Sequence, residues 1–210
     1  MPTLKRGVRG LRLARMPAAE RDGVATEVLE AYDRSLDVLG ELGAEIVDVA
    51  LPFRLADCLA VQASVQAEAY FNAGHLAEDP STQLDDAVRR RLLGGASISA
   101  QAYLAARRQL ADLKRQIYRA LDGFDALLTP TTETAALKLS EVDQDRLPSR
   151  FTRPANLLEM CALALPSGAT AAGLPLSLQI VCRGYEEAMA LRIGFAYQQA
   201  TDWHLRAPAV

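Results

Sequence analysis

Nucleophilic catalysis needs a hydroxyl or thiol beside a base, and the residues able to supply one are few and scattered in this chain. Ser97 follows Gly94-Gly95-Ala96, and Ser167 precedes Gly168. Neither stands in the G-x-S-x-G frame that lifts a serine onto a strained elbow, so capping and turn roles are expected of both. Lys138 and Ser140 lie two apart, which places them on one side of a loop segment without making a Ser–Lys pair. His75 and His204 are the two histidines. They lack acidic or cysteine companions at metal-ligand spacing, so no metal site is expected. Cys58, Cys161 and Cys182 are an odd number, widely spaced among apolar residues, and are expected to be reduced structural thiols of a cytoplasmic protein. Glycine-rich phosphate loops are absent, since Gly94-Gly95 and the Gly168 to Gly173 stretch match neither the P-loop nor the dinucleotide spacing, and no cofactor is implied. The run Arg89-Arg90-Arg91 could hold an anion together with the basic side of the following helix; a solvated helix face is the expected reading.

These residues ride on elements that the hydrophobic period outlines. A strand is expected at Leu11 to Met16, then a turn in which Asp22 caps a helix over residues 23–42, with Val24, Val28, Ala31, Leu36, Leu39 and Leu42 at helical spacing. Gly43 ends it, and Ala44 to Leu51 reads as a buried strand closed by Pro52, a helix-to-strand unit of the α/β kind. A long helix from Leu55 to Leu76 and a short one over 83–93 follow, the second stopped by Gly94-Gly95 with its cations at the negative end of the helix dipole. Ser99 caps the clearest helix, whose apolar stripe is Tyr103, Ala106, Leu110, Leu113, Ile117 and Leu121.

Ala126 to Leu128 is a short strand, and Glu133 to Arg150 a long polar surface loop, a length uncommon without a task. Thr152 and Arg153-Pro154 start a short helix that runs from Ala155 to Cys161, proline being tolerated in a first turn. Leu163 to Pro166 reads as a brief buried strand, Ser167-Gly168 as a turn, and Leu176 to Cys182 as a second strand. There Leu176, Leu178, Ile180 and Cys182 share one face while Ser177, Gln179 and Val181 share the other. Tyr185, Ala188, Leu191 and Phe195 define a last helix over about 186–200, and the tail from Trp203 docks on the body.

Half of the residues are hydrophobic and 23% are charged, which fits one globular domain with a real core. A formal net charge of -3 lacks the basic stripe of a nucleic-acid binder, so no nucleic-acid role is expected. No apolar run approaches the roughly 20 residues of a membrane-spanning helix, and no membrane role is expected.

Several stretches stand together in an order that resembles a known family: a strand into Pro130-Thr131, then Thr152-Arg153-Pro154-Ala155-Asn156, Ala162 to Gly168, Gly173-Leu174-Pro175, Leu178-Gln179, and a closing helix followed by Thr201-Asp202-Trp203-His204. Upstream, Gly10 to Leu13, the helix ending Leu39 to Gly43, and Arg90 with Gly94, Ser99-Ala100 and Tyr103 agree with the same pattern. The run from Leu127 to Pro208 is similar to the C-terminal part of the amidase signature family, whose members hydrolyse or transfer amides with a serine, cis-serine and lysine triad. The resemblance implies an α/β fold, a mixed β-sheet flanked by helices, formed by residues 1–210 as a single domain. It implies a carboxamide C–N bond as target and a substrate-pocket wall built from Phe151, Thr152 and Asn156, with Arg90 as a carboxylate contact. Core packing for Phe151 and a buried, satisfied amide for Asn156 are the plainer expectations.

No catalytic residue carries over. The family's glycine-and-serine-rich nucleophile segment, with its lysine and second serine, belongs before the point where this chain begins, and nothing here matches it. The isolated chain is therefore expected to be inactive on amides until an N-terminal half or complementing amidase subunit completes it for a small-molecule amide substrate. The alternative is a non-catalytic module that self-associates as a homo-oligomer through the surface that half would cover. Two positions depart from the family pattern: Thr132-Glu133 where a further proline is common, and Ser149 where the tRNA-dependent amidotransferase branch is expected to carry an acid.

Overall fold

Parallel strands need a crossover to return in the same direction, and the helices of this chain supply it. The computed structural model of the chain describes residues 3–144 and 148–207. Five strands form one mixed sheet: β1 (Arg12–Arg15), β2 (Glu45–Asp48), β3 (Ala126–Pro130), β4 (Cys161–Ala169) and β5 (Pro175–Cys182), in the order β2-β1-β3-β5-β4. β1 runs parallel to β2 and β3, with Leu13 opposite Ile46 and Ala126. β5 lies antiparallel between β3 and β4, with Ile180 opposite Leu128 and Leu163.

Helix α1 (Thr26–Glu41) carries β1 over to β2, while α2 (Ala63–Glu78), α3 (Asp86–Gly94) and α4 (Ala100–Ala120) carry β2 back to β3. A short α5 (Arg153–Leu157) precedes β4, and α6 (Glu187–Ala200) follows β5. Leu13, Leu128, Leu178, Ile180 and Cys182 meet Tyr32, Leu36 and Leu39 of α1 and Ala190, Ile193 and Tyr197 of α6 on one face of the sheet. On the opposite face Ala14, Leu127 and Val181 meet Ile117 of α4, the α4-terminal Leu121, Cys58, and Ala155 and Leu158 at α5. The alternation expected in β5 is thus the division between the two layers. Among the described residues no helix is long and apolar enough to cross a membrane.

Several local expectations are corrected. Asp22 does not cap α1: Gly23, at φ +75, intervenes, and Ala25 takes the N-cap position without a side-chain bond. β2 is shorter than expected and only half-buried, because it forms an edge of the sheet. The helix expected from Leu55 is two pieces, a 3-10 segment at Leu55–Ala60 and α2. Leu55, Cys58 and Val61 are all buried, and a spacing of three is the 3-10 period, so packing favours the tighter winding. The short helix after Phe151 begins and ends earlier than expected, at Arg153–Leu157; Glu159 at φ +54 turns the chain so that Cys161 can open β4.

Ser167-Gly168 is no turn: β4 continues to Ala169 through a bulge between Pro166 and Gly168. Pro166 is accommodated because β4 is an edge strand. A Cβ on Gly168 would lie 3.1 Å from that of Ala31, so this glycine admits α1 and makes no reversal. The reversal falls at Thr170–Gly173, with Gly173 at φ +81 and a 2.9 Å bond from its N–H to the Thr170 carbonyl. On α6 the inward stripe is Ala190, Ile193, Gly194 and Tyr197, while Tyr185 and Ala188 are exposed. Gly194 sits close against Leu163 and Leu165, so the smallest residue marks the contact. Ser99 accepts a bond from the Ala102 N–H as expected, and Ala106, Leu110 and Ile117 of its stripe are buried.

Candidate functional site

β3 and β5 deliver side chains to the same place because Thr129 and Gln179 are opposite each other in the antiparallel ladder. Both are buried, and a buried amide must find partners. The Gln179 Nε2 donates to Thr129 Oγ1 at 3.0 Å and to the Phe151 carbonyl at 2.9 Å, which fixes the start of the Phe151–Asn156 segment over the end of β3. Phe151 is buried in the α1–α6 layer, with the Arg150 guanidinium 4.6 Å from its ring. The plainer expectation of core packing for Phe151 matches this placement.

Arg150 ties three segments together. It donates to the carbonyls of Asp22 at 2.8 Å and Glu20 at 3.3 Å, and its Nε lies 3.6 Å from Glu133 Oε1. Glu20, buried on the neighbouring turn, accepts from Arg54 Nε and from the Leu55 N–H, each at 3.0 Å. A seam of Arg54, Glu20, Arg150 and Glu133 therefore runs beside the loop after β3. In that seam Thr131 Oγ1, Glu133 Oε2 and Arg150 Nε are buried without a hydrogen-bond partner among the described residues. Such groups retain capacity to bind a polar ligand or a further part of the protein.

Thr152 is half-buried, its hydroxyl 3.5 Å from the Ser149 carbonyl, whereas Asn156 is exposed on α5 and is not the buried amide expected. Arg90 is exposed on α3, which packs against α2, while α5 packs against the 3-10 segment and β4. Phe151, Thr152 and Asn156 thus share one short segment, and Arg90 stands on a different layer. The arginine run is divided in use. Arg89 donates to the carbonyls of Ala77, Asp79 and Thr82, clamping the end of α2, and Arg91 donates to the Gln144 carbonyl at 2.9 Å.

Ser97 Oγ donates to the Gly94 carbonyl, Ser167 is buried in β4, and Lys138 Nζ lies 3.8 Å from Glu141. His75 and His204 are exposed. Among the described residues no group of three or more His, Cys, Asp or Glu could hold a metal. Burial pushes the Cys58 thiol up to about 11, with the Asp57 carboxylate adding to it, and raises Cys161 and Cys182 as well. A thiol held protonated at neutral pH is a poor nucleophile.

Sequence reasoning missed Arg150 and Glu20 altogether. Their role depends on segments about 130 residues apart, and no local period reports that. Glu133 and the neighbourhood of Ser149 did carry a signal, as departures from a family pattern, and the structure brings Glu133 and Arg150 into one ion pair. Parts of two expected features, residues 145–147 of the polar loop and Pro208 of the tail, lie outside the described residues.

Comparison with known proteins shows the family. A family model described as Amidase matches residues 2–191. A glutamyl-tRNA(Gln) amidotransferase subunit from Geobacter metallireducens is 30% identical over 97% of this chain and 48% of its own length, and the same subunit from Hahella chejuensis is 35% identical over 88% and 44%. A crystal structure of an amidase superposes with a TM-score of 0.77 at 30% identity, covering 92% of this chain and 46% of that one. The chain spans about half the length of the curated relatives it matches. Matched by the family model over nearly its whole length and by the fold of a solved amidase, the chain belongs to the amidase family.

Proposed function

We propose that this chain forms the part of an amidase that builds the rear of the sheet, its flanking helices and one wall of the pocket for a small carboxamide, while the serine, cis-serine and lysine come from an N-terminal half. The observation that carries this reading is the asymmetry of the match: it takes in 97% of this chain but 48% of the Geobacter relative. The sequence itself offers no segment resembling the glycine-and-serine-rich nucleophile region.

In this reading Thr152 and Asn156 face the amide, Phe151 supports them from the core, and Arg90 meets a carboxylate on the substrate or its surroundings. Gln179 and Arg150 act as positioning residues through Phe151. The substrate class is a carboxamide whose C–N bond is cleaved; Ser149 stands where the tRNA-dependent branch is expected to carry an acid, which favours a different amide for this chain. Three free cysteines fit the expected cytoplasmic location.

The test measures ammonia or amine release from simple carboxamides by the isolated chain and by the chain mixed with an amidase N-terminal half. No release is expected from the chain alone and turnover from the mixture, with Asn156→Ala raising KM more than it lowers kcat. Turnover by the isolated chain, retained after repurification and absent from a mock preparation, overturns the reading.

A further inference from the structure

β4 and β5 place two of the three cysteines face to face. Cys161 opens β4 and Cys182 closes β5, and the antiparallel register sets them directly opposite each other. Alternation fixes the side: Cys161 shares a face with Leu163 and Leu165, Cys182 with Leu178 and Ile180, and both side chains join the α1–α6 layer. Both are free thiols, and they lie within hydrogen-bonding reach of each other. Cys58 is buried in the opposite layer, with Ala14, Leu127 and Leu158. Access to the pair is unequal. Cys161 is half-buried and donates a thiol hydrogen bond to the Arg183 carbonyl at 3.3 Å, whereas Cys182 is 1% exposed. An outside reagent therefore meets Cys161 first, and Cys182 is the resolving partner.

Opposed residues of an antiparallel pair have Cα atoms about 4.5 or 5.5 Å apart, inside the roughly 4.4–6.8 Å that a disulfide spans. Their Cβ atoms stand about 4.5–5.5 Å apart, against roughly 3.5–4.5 Å across a disulfide, so a bond draws the strands slightly together and remains open to reduction. β4 is an edge strand with Cys161 at its first residue, where such a shift costs little. We infer that Cys161 and Cys182 are a modification site, a thiol pair that small-molecule disulfides of the glutathione class convert reversibly to a cross-strand disulfide stapling the start of β4 to the end of β5. The Cys161 thiolate attacks one sulfur of the reagent, whose S–S bond breaks to release one small thiolate and leave a mixed disulfide. The Cys182 thiolate then attacks the Cys161 sulfur and expels the second. Two protein thiols lose two electrons, the reagent gains them, and the two protein protons end on the released small thiols. The ring so closed covers residues 161–182 and removes chain entropy from the unfolded state. Burial holds both thiols protonated at neutral pH, so the exchange is slow. The inference goes beyond the proposed function and is independent of it.

The test equilibrates the chain in buffers of rising oxidised-to-reduced glutathione ratio, blocks free thiols with N-ethylmaleimide and maps the peptides by mass. A linked peptide joining Cys161 to Cys182 within one chain should build up with the ratio and disappear again in excess reduced glutathione, while Cys58 stays unlinked. The linked form should melt about 5 °C or more above the reduced form. Cys161→Ser and Cys182→Ala should each abolish both the linked peptide and the shift, and Cys58→Ala should keep both. A mixed disulfide that stays on Cys161, a bridge between two chains, or a linked peptide with unchanged melting overturns the inference. So does a bond that survives excess reduced glutathione, which would make it a fixed cross-link.

Discussion

The two faces of the sheet are built on different terms. Toward α1 and α6 the strands present Leu13, Leu128, Leu178 and Ile180, all fully buried, and the few polar groups there are paired within the layer. The Tyr32 hydroxyl accepts from the Met16 N–H at 2.8 Å and donates to the Leu128 carbonyl at 3.0 Å; Ser35 and Tyr197 meet at 3.1 Å. Toward α4 and α5 the same strands present Ala14, Leu127 and Val181 at one end, then Thr129 and Gln179, then the exposed alanines of β4. The first face is closed, whereas the second grades from apolar to polar to exposed. Strand alternation thus gives single strands one uniformly buried side and one graded side, most plainly in β5.

The largest expected effect tests that difference. Ile180→Ala, at a fully buried position of a central strand, should cost about 2–5 kcal/mol by denaturant unfolding, because the site cannot collapse around the lost methylenes. Ser177→Ala, at a half-buried position on the opposite face, should cost far less, about 0.5 kcal/mol. Equal costs at the two positions would abolish the distinction between the faces. Next in size, Tyr32→Phe should cost about 1–3 kcal/mol, since it strands the Met16 N–H and Leu128 carbonyl in a dry layer. An unchanged midpoint would show that water reaches the closed face.

A further effect concerns pH. The folded protein holds the Cys58 proton up to about 11, whereas the unfolded chain releases it near 9.0. The unfolded state therefore binds fewer protons in that interval, so stability is intact below pH 9 and falls as pH rises, with a slope approaching about 1.4 kcal/mol per unit for each such group. Cys182, raised in the same direction by burial, adds to the slope from the closed face. Urea midpoints between pH 8 and 11 should decline, and Cys58→Ala and Cys182→Ala should each flatten the decline. If only Cys182→Ala did so, the α4–α5 layer at Cys58 would be wetter than the packing shows.

Much of the fold is legible in the chain because its signals are local. Ser99 ahead of a stripe of threes and fours identifies α4 and its cap, and alternation from Leu176 to Cys182 identifies both faces of β5. Gly173 and Pro175 lie where the hairpin and the second strand meet. Two of the expectations that fail have plain causes: a glycine used for close packing resembles one used for backbone freedom, and a large apolar side chain need not point inward. Gly168 receives Ala31 and makes no turn, and Gly194 seats α6 on Leu163 and Leu165 while Tyr185 projects into solvent. The spacing of Leu55, Cys58 and Val61 is a visible 3-10 signal, masked by the surrounding alanine-rich helical composition.

Of the candidate site, the sequence by itself determined the segment Phe151 to Asn156, its helix start at Arg153-Pro154, and membership of a recognisable order of motifs. These depend on residues near one another in the chain, where proline, glycine and alternation constrain the backbone directly. Tertiary structure alone decided that Gln179 holds the Phe151 carbonyl, that Arg150 joins the turn at Glu20 to the loop at Glu133, and that β2 and β4 form the edges of the sheet. Each of these depends on which distant segments become neighbours, and that is settled by the packing of the whole sheet rather than by any stretch of it.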